Sequence, residues 1–221
     1  MKSLRKKSVH SRKLTYLTAF TMVLALAGCS NTDDETPDLE ETTDALVSDP
    51  VEYIPASEDG PAENVPEPRL TVEASETSVS GAQAALEYFW QGVDYMRLTG
   101  EAQHVQNVSG SECDLCADLI EGWSEVYQEG SWAALHGEME LDIHEINLSK
   151  LQESDRELAE ISFTMTEPAA DFYEKGTYLE EESYDKDSTA KWWAQLSFDA
   201  TAQAWEIEWV GLESHLSEDE E

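Results

Sequence analysis

Two hydrophobic periodicities follow each other along the chain after residue 80, and together they predict an α+β domain. Between residues 81 and 130, apolar side chains recur at helical spacing. From Leu135 onward they alternate with polar side chains, as in strands that bury one face. Helices followed by strands are typical of an α+β fold, which we place at residues 78–216.

The helical part contains three predicted helices. The first spans Gly81–Leu98, with Ser80 as its N-cap and Gly100 as its stop. A short helix or turn follows at about 102–108. The third helix begins at Ser111 or Glu112 and ends before Gly130.

The alternating part predicts one antiparallel sheet of four to six strands with a wetter outer face. A weaker strand at Phe172–Leu179 is expected at an edge of this sheet. The stronger strands are expected at Leu135–Asn147, Ala159–Met165, Trp192–Phe198 and Trp205–Trp209.

The first 28 residues have the three parts of an export signal. Six Lys and Arg residues precede an apolar run from Leu14 to Ala27, which is shorter than the about 20 residues of a spanning helix. The run ends in Leu26-Ala27-Gly28-Cys29, which is typical of a lipobox. The alternative is an ordinary signal peptide beside an incidental cysteine.

Lipidation of Cys29 would place the protein on the cell membrane, facing the extracytoplasmic side. The thiol forms a thioether to diacylglycerol, and the amino group freed by cleavage can receive a further acyl chain such as palmitate. Two or more acyl chains give stable attachment, whereas one gives marginal binding. The lipid anchor is therefore the expected contact with the membrane.

Residues 29–77 are expected to form an acidic, proline-rich, disordered stalk. They contain six of the seven prolines of the chain, and Arg69 is their only Lys or Arg. Repelling charges and proline extend such a linker. Residues 217–221 form a short acidic tail.

The charge of the chain excludes nucleic acid as a partner. The net charge is −35, from 13 Lys and Arg against 48 Asp and Glu. Removal of residues 1–28 leaves seven bases against 48 acids, a net charge of −41. Phosphate-rich polymers are repelled by such a field.

Cys113 and Cys116 are the two thiols that remain after lipidation of Cys29. In an oxidising exterior, this C-x-x-C spacing favours a structural disulfide at the start of the third helix. A redox role is the first alternative. A metal site that recruits His104 or His136 is the second, although a lone C-x-x-C is a weak metal motif.

Several aromatic residues of the domain could line a hollow between helices and sheet. The alternative is that these rings fill the core. The candidate pocket residues are Phe89, Trp123, Tyr127, Trp192, Trp205 and Trp209.

Four short segments carry a resemblance to a known family. They are Ala85-Leu86-Glu87-Tyr88-Phe89, Thr99-Gly100-Glu101, Cys113-Asp114-Leu115-Cys116 and Tyr127-Gln128-Glu129-Gly130. With the lipobox and the stalk, the chain resembles an uncharacterised family of actinobacterial secreted lipoproteins. Three helices before a curved sheet also resemble the nuclear-transport-factor-2-like, or cystatin-like, cone. The resemblance implies a fold and a location, and no activity.

These observations favour a non-enzymatic binding or interaction module on the cell envelope. Its partner would be a small apolar ligand or an envelope protein, and no cofactor or metal is indicated. An enzyme of the cone type, isomerase-like or hydratase-like, is the alternative, with Asp94 or His136 as its acid–base candidate. A purely structural envelope lipoprotein is the third hypothesis.

Overall fold

The structure is a computed structural model that describes residues 52–150 and 156–214. The predicted signal segment, Cys29, the stalk up to residue 51 and the acidic tail lie outside the described residues.

In the part of the chain that the structure describes, three α-helices precede the seven strands of the sheets, as the sequence predicts. They are α1 (Val79–Thr99), α2 (Gln103–Gln106) and α3 (Asp114–Gln128), and a 3-10 turn at Val72–Ser75 comes before them. The N-cap of α1 is Ser78 and not the predicted Ser80, because the Ser78 hydroxyl accepts the Gly81 amide at 3.1 Å. At the other end, Gly100 caps the helix in the left-handed conformation.

Within residues 52–150 and 156–214, seven strands form two antiparallel sheets. A four-stranded sheet has the order β2-β3-β6-β7, and a three-stranded sheet has the order β1-β4-β5. The α+β class is confirmed, whereas the expected single sheet is wrong. The strands are β1 (Ser131–Leu135), β2 (Glu140–Lys150), β3 (Glu157–Glu167), β4 (Ala170–Glu174), β5 (Thr177–Tyr178), β6 (Ser188–Asp199) and β7 (Ala204–Leu212).

The predicted strand Leu135–Asn147 is two strands in different sheets. β1 ends at Leu135 and β2 starts at Glu140, and the residues between them form a bend. Leu135, Gly137 and Met139 keep the alternation through the bend, and with Glu138 they line one cleft, described below. The pattern of a continuous strand therefore crosses a break between two sheets.

The weak strand predicted at Phe172–Leu179 is a hairpin. β4 and β5 are joined by Lys175 and Gly176, whose φ angles are 50° and 81°. Two consecutive residues with positive φ give the turn that matches strand twist. β5 is an edge strand of its sheet, as predicted.

The core lies between α1 and one face of the four-stranded sheet. Inward-facing residues of β3, such as Ile161 and Phe163, are fully buried against α1 residues such as Phe89. The outward-facing residues of these strands are mostly polar, which gives the half-wet sheet that alternation predicts.

Residues 52–77 lie against the domain, although composition assigned them to the stalk. The indole N–H of Trp132 donates to the Ser57 carbonyl at 2.8 Å, and that of Trp205 donates to the Glu76 carbonyl at 2.9 Å. Ala74 is buried. Hydrogen bonds from two domain tryptophans thus hold a segment that has too few apolar residues to be recognised as folded.

Candidate functional site

A cleft of about 760 Å³ opens between α1 and two other parts of the chain. One wall is α1 from Glu87 to Leu98. A second wall is the segment 53–69, here called the strap, and the third is the chain from Leu135 to Leu141. We call this cavity the α1 cleft.

The α1 wall combines apolar and acidic side chains at helical spacing. Trp90, Asp94 and Leu98 are four residues apart and so share one face of the helix. Trp90 is 2% exposed and packs edge-on against Trp192, with ring centroids 5.4 Å apart. Its indole N–H has no hydrogen-bond partner among the described residues.

Asp94 is held by one hydrogen bond and one ion pair. Its Oδ2 accepts the Met139 amide at 2.8 Å, and its Oδ1 lies 3.5 Å from the Nη1 of Arg97. Burial raises the pKa of the Asp94 carboxyl, and the Met139 hydrogen bond and the Arg97 charge lower it by less. Asp94 therefore fixes the third wall of the cleft to α1.

Arg97 lies behind Asp94 and is 3% exposed. Its Nη2 donates to the Tyr184 hydroxyl at 3.0 Å, and its guanidinium carbon is 5.7 Å from the centre of the Trp123 ring. Such a position allows a cation–π interaction. The buried guanidinium thus connects α1 to α3 and to the chain before β6.

The strap is shaped by backbone hydrogen bonds and by prolines. Ile54 and Glu63 exchange two hydrogen bonds, of 3.0 and 2.9 Å, which close a small loop. Three strap prolines, at positions 55, 66 and 68, face the cleft. Fixed φ angles make such a wall stiff for its length.

The ionisable groups that line the cleft are mainly acidic. Of the described residues, four lining carboxylates (Glu67, Glu87, Asp94 and Glu138) oppose one guanidinium, that of Arg69. Burial raises the pKa of the Tyr53 hydroxyl, and the charge of Glu138 raises it further. The cleft is therefore an apolar cavity with a negative rim.

The predicted pocket aromatics do not line this cleft. Phe89 and Trp205 are fully buried in the core. Trp123 stacks on Phe172 at 5.8 Å, and Tyr127 donates its hydroxyl to the Arg97 carbonyl at 2.8 Å. Trp123 thus joins α3 to β4, and Tyr127 joins α3 to α1.

The remaining two predicted rings lie on opposite faces of the four-stranded sheet. Trp192 packs inward against Trp90, whereas Trp209 pairs with Trp193 on the other face, 5.3 Å away. Sequence reasoning missed Trp90 and Tyr95, two aromatic residues of α1 that line the cleft. The spacing of four residues between Trp90 and Asp94 was the available indication.

Cys113 and Cys116 lie at disulfide distance, as predicted, with Cα atoms 5.2 Å apart. Cys113 is the N-cap of α3, so the bridge fixes the first turn of that helix. Two histidines considered as extra ligands bind elsewhere: His104 pairs with the Tyr88 hydroxyl and His136 with Asp171, each at 2.9 Å. Within residues 52–150 and 156–214, no group of His, Cys, Asp and Glu has a metal-binding arrangement.

In the part of the chain that the structure describes, no helix has the length and apolar character needed to span a membrane.

Comparison with known proteins gives a family and no activity. A search of curated proteins found no match. One similar solved structure is the crystal structure of the intermembrane space region of the chloroplast protein ARC6, at 9% identity, a TM-score of 0.42, and coverage of 62% of this chain and 97% of that chain. This likeness is too low to support an argument. The model of a family of unknown function, DUF6318, matches residues 51–210. Because this match spans well over half of the sequence, the chain belongs to the DUF6318 family.

Proposed function

We propose that the protein is a membrane-anchored extracytoplasmic lipoprotein whose domain binds a small, largely apolar molecule in the α1 cleft. The observation that carries the binding proposal is the cleft itself. Its volume of about 760 Å³ lies within the roughly 300–1,000 Å³ typical of ligand sites. Such sites combine apolar walls with a few polar groups, as this one does.

The composition of the walls supports an apolar ligand. Leu98, Met139 and Leu141 come from two different walls, and the strap adds Val65. Transfer of apolar surface from water into such a cavity is favourable by about 25 cal/mol per Å². Trp90 and Tyr95 also line the cleft, although both are buried and offer it little ring surface.

The anchor belongs to the same proposal. The lipobox ending at Cys29 supports lipidation and an extracytoplasmic location, and the acidic segment before the strap supports a tether. The resemblance to actinobacterial secreted lipoproteins, noted on four short segments of the sequence, agrees with these features. The strap lies within the predicted stalk of residues 29–77, so the chain proposed as the tether continues into one wall of the cleft.

A nuclear-transport-factor-2-like cone is our proposal for the finer fold class. Two β-bulges support it, at His144 in β2 and at Glu208 in β7, where the strand register shifts. Bulges bend and twist a sheet, and a bent sheet can wrap a helix. α1 packs against β2 and β7, the strands that carry these bulges.

Binding without catalysis is favoured by the state of Asp94. Its two oxygens face the Met139 amide and Arg97, so it is already engaged as a structural group. The raised pKa of its carboxyl supports the second candidate, an isomerase-like or hydratase-like enzyme. Turnover of a small apolar substrate that Asp94→Asn abolishes, with binding retained, would establish that alternative.

Native mass spectrometry of the full chain tests the proposed function. The protein is produced in a bacterial host and extracted from membranes with mild detergent. We expect an acylated polypeptide with a bound small molecule, and loss of that molecule in Leu98→Trp, which fills the cleft. Leu148→Trp, at a 38% exposed position of β2, is the matched control and keeps the ligand. Equal ligand occupancy in both variants would contradict the cleft as the site.

The anchor has a separate test in Cys29→Ser. We expect this variant to lose the acyl mass and to leave the membrane fraction. Membrane retention of Cys29→Ser would contradict lipid anchoring and leave the binding proposal to its own experiment.

A further inference from the structure

We infer that the ligand of the α1 cleft is an organic cation, an amine carried on an apolar or aromatic body. This inference rests on the proposed binding function and adds the chemical class of the ligand. It follows from the position of charges around the cleft, and from what those charges are paired with.

Carboxylates reach the cleft from all three walls. Glu67 comes from the strap, Glu87 from α1, and Glu138 from the bend between β1 and β2. Glu67 and Glu138 are exposed and Glu87 is half-buried, so all three lie at the rim and not in the floor. A charged group of a ligand would meet this rim while its apolar part entered the cavity.

The pairing of these charges leaves the rim negative. Asp94 is offset by the Arg97 guanidinium behind it, at 3.5 Å. Three carboxylates then remain against Arg69, the one lining base among the described residues. The whole chain adds a field of the same sign, with a net charge of −35. Carboxylates and phosphates are therefore repelled, and ammonium groups are attracted.

Aromatic rings in the walls suit the same ligand. Tyr53, Trp90 and Tyr95 line the cleft from the strap and from α1. The face of an aromatic ring attracts a cation within about 6 Å of its centre, and it also packs against apolar groups. A neutral apolar molecule would use the rings alone, whereas an amine uses the rings and the rim.

Three probes with one ring system and three charges test the inference. They are 2-naphthylmethylamine, 2-naphthalenemethanol and 2-naphthoate, titrated calorimetrically into the full chain in detergent at neutral pH. Each exposed ion pair is weak, so three rim carboxylates together predict a preference for the amine of about tenfold over the alcohol. The carboxylate probe should bind more weakly than the alcohol.

Matched variants locate the preference. Glu67→Gln with Glu138→Gln removes two rim charges, and we expect the tenfold preference to fall to about twofold while the affinity for the alcohol stays the same. Glu145→Gln with Glu160→Gln removes two exposed charges from β2 and β3, outside the cleft lining, and should keep the preference.

The outcomes separate the two proposals. Equal affinities for amine and alcohol, or a preference that survives the rim variant, would overturn the cation inference and leave the cleft as a binding site for neutral molecules. Absence of binding by all three probes would overturn the binding function together with the inference.

Discussion

Asp94 is the residue at which burial and pairing oppose each other most directly. Burial raises the pKa of its carboxyl above the ordinary 3.8, so the folded protein holds the Asp94 proton more tightly than the unfolded chain does. The contribution of protonated Asp94 to stability is fully present below the unfolded pKa and is lost as pH rises through the folded pKa.

Comparison with Asp94→Asn isolates this effect, because the amide does not titrate. We expect the free energy of unfolding of the wild type, minus that of the variant, to fall as pH rises from about 4. Each tenfold difference between the acid dissociation constants of Asp94 in the folded and unfolded chain corresponds to about 1.4 kcal/mol. Urea unfolding of both proteins across the acid range measures the difference in their free energies of unfolding. A difference that rises with pH would contradict the assignment.

Trp132 is the residue that attaches the tip of the strap. Trp132→Phe removes the N–H that donates to the Ser57 carbonyl. It keeps an aromatic ring, although a smaller one, at the position that stacks on Tyr173 with ring centroids 5.8 Å apart. We expect a loss of about 1 kcal/mol in the free energy of unfolding. Amide exchange at residues 54–63 should become faster, because the strap opens more easily.

The control for the strap is Trp193→Phe, in the ring pair on the four-stranded sheet. It should leave exchange at residues 54–63 unchanged. If amide exchange in the strap is as slow in Trp132→Phe as in the wild type, the proposed role of the indole hydrogen bond is contradicted.

Alanine variants of two glycines at helix ends distinguish the cost of backbone strain from the cost of a steric clash. Gly100 and Gly130 have φ angles of 77° and 78°, so alanine is strained at both by roughly 1–2 kcal/mol. At Gly100 a Cβ would lie 2.5 Å from the Tyr127 ring, whereas at Gly130 the nearest atom is 3.8 Å away.

We therefore expect Gly130→Ala to lower the free energy of unfolding by about 1 kcal/mol and Gly100→Ala by about 2–4 kcal/mol. Chemical unfolding of the two variants measures the difference. Equal losses would show that α1 and α3 adjust at Tyr127 without strain.

At the scale of elements, the sequence predicted the features that depend on residues close together in the chain. The stripe in α1, its Gly100 cap and the alternation in β3, β6 and β7 each depend on neighbours in the chain. The division between β1 and β2 could not be predicted, because Leu135, Gly137 and Met139 keep the alternation across the break between the two sheets.

The segment 52–77, which contains the strap, shows the limit of composition as a guide to folding. Residues 52–77 have the prolines and acids of a linker, yet they are held by hydrogen bonds to Trp132 and Trp205. These bonds join residues 75 and 129 positions apart. A single sequence contains no local feature that marks such long-range partners.

At the scale of the whole molecule, the candidate site is built from three distant segments. Tyr53, Asp94 and Met139 lie far apart in the chain and meet only after folding. Asp94 could be nominated from the sequence as a carboxylate on a helix. The sequence alone could not decide whether the predicted aromatic residues line a pocket or fill the core, because the same rings suit both positions. Phe89 and Trp205 lie in the core.

The central claim is that the α1 cleft is the binding site, and amide exchange with a bound probe tests it most directly. The full chain is measured with and without saturating 2-naphthalenemethanol, the neutral probe. We predict slower exchange at the amides of Val65, Glu67, Arg69 and Met139, with no change at the exposed residues of β2. Protection confined to the face of Trp193 and Trp209, with the cleft unchanged, would contradict the account.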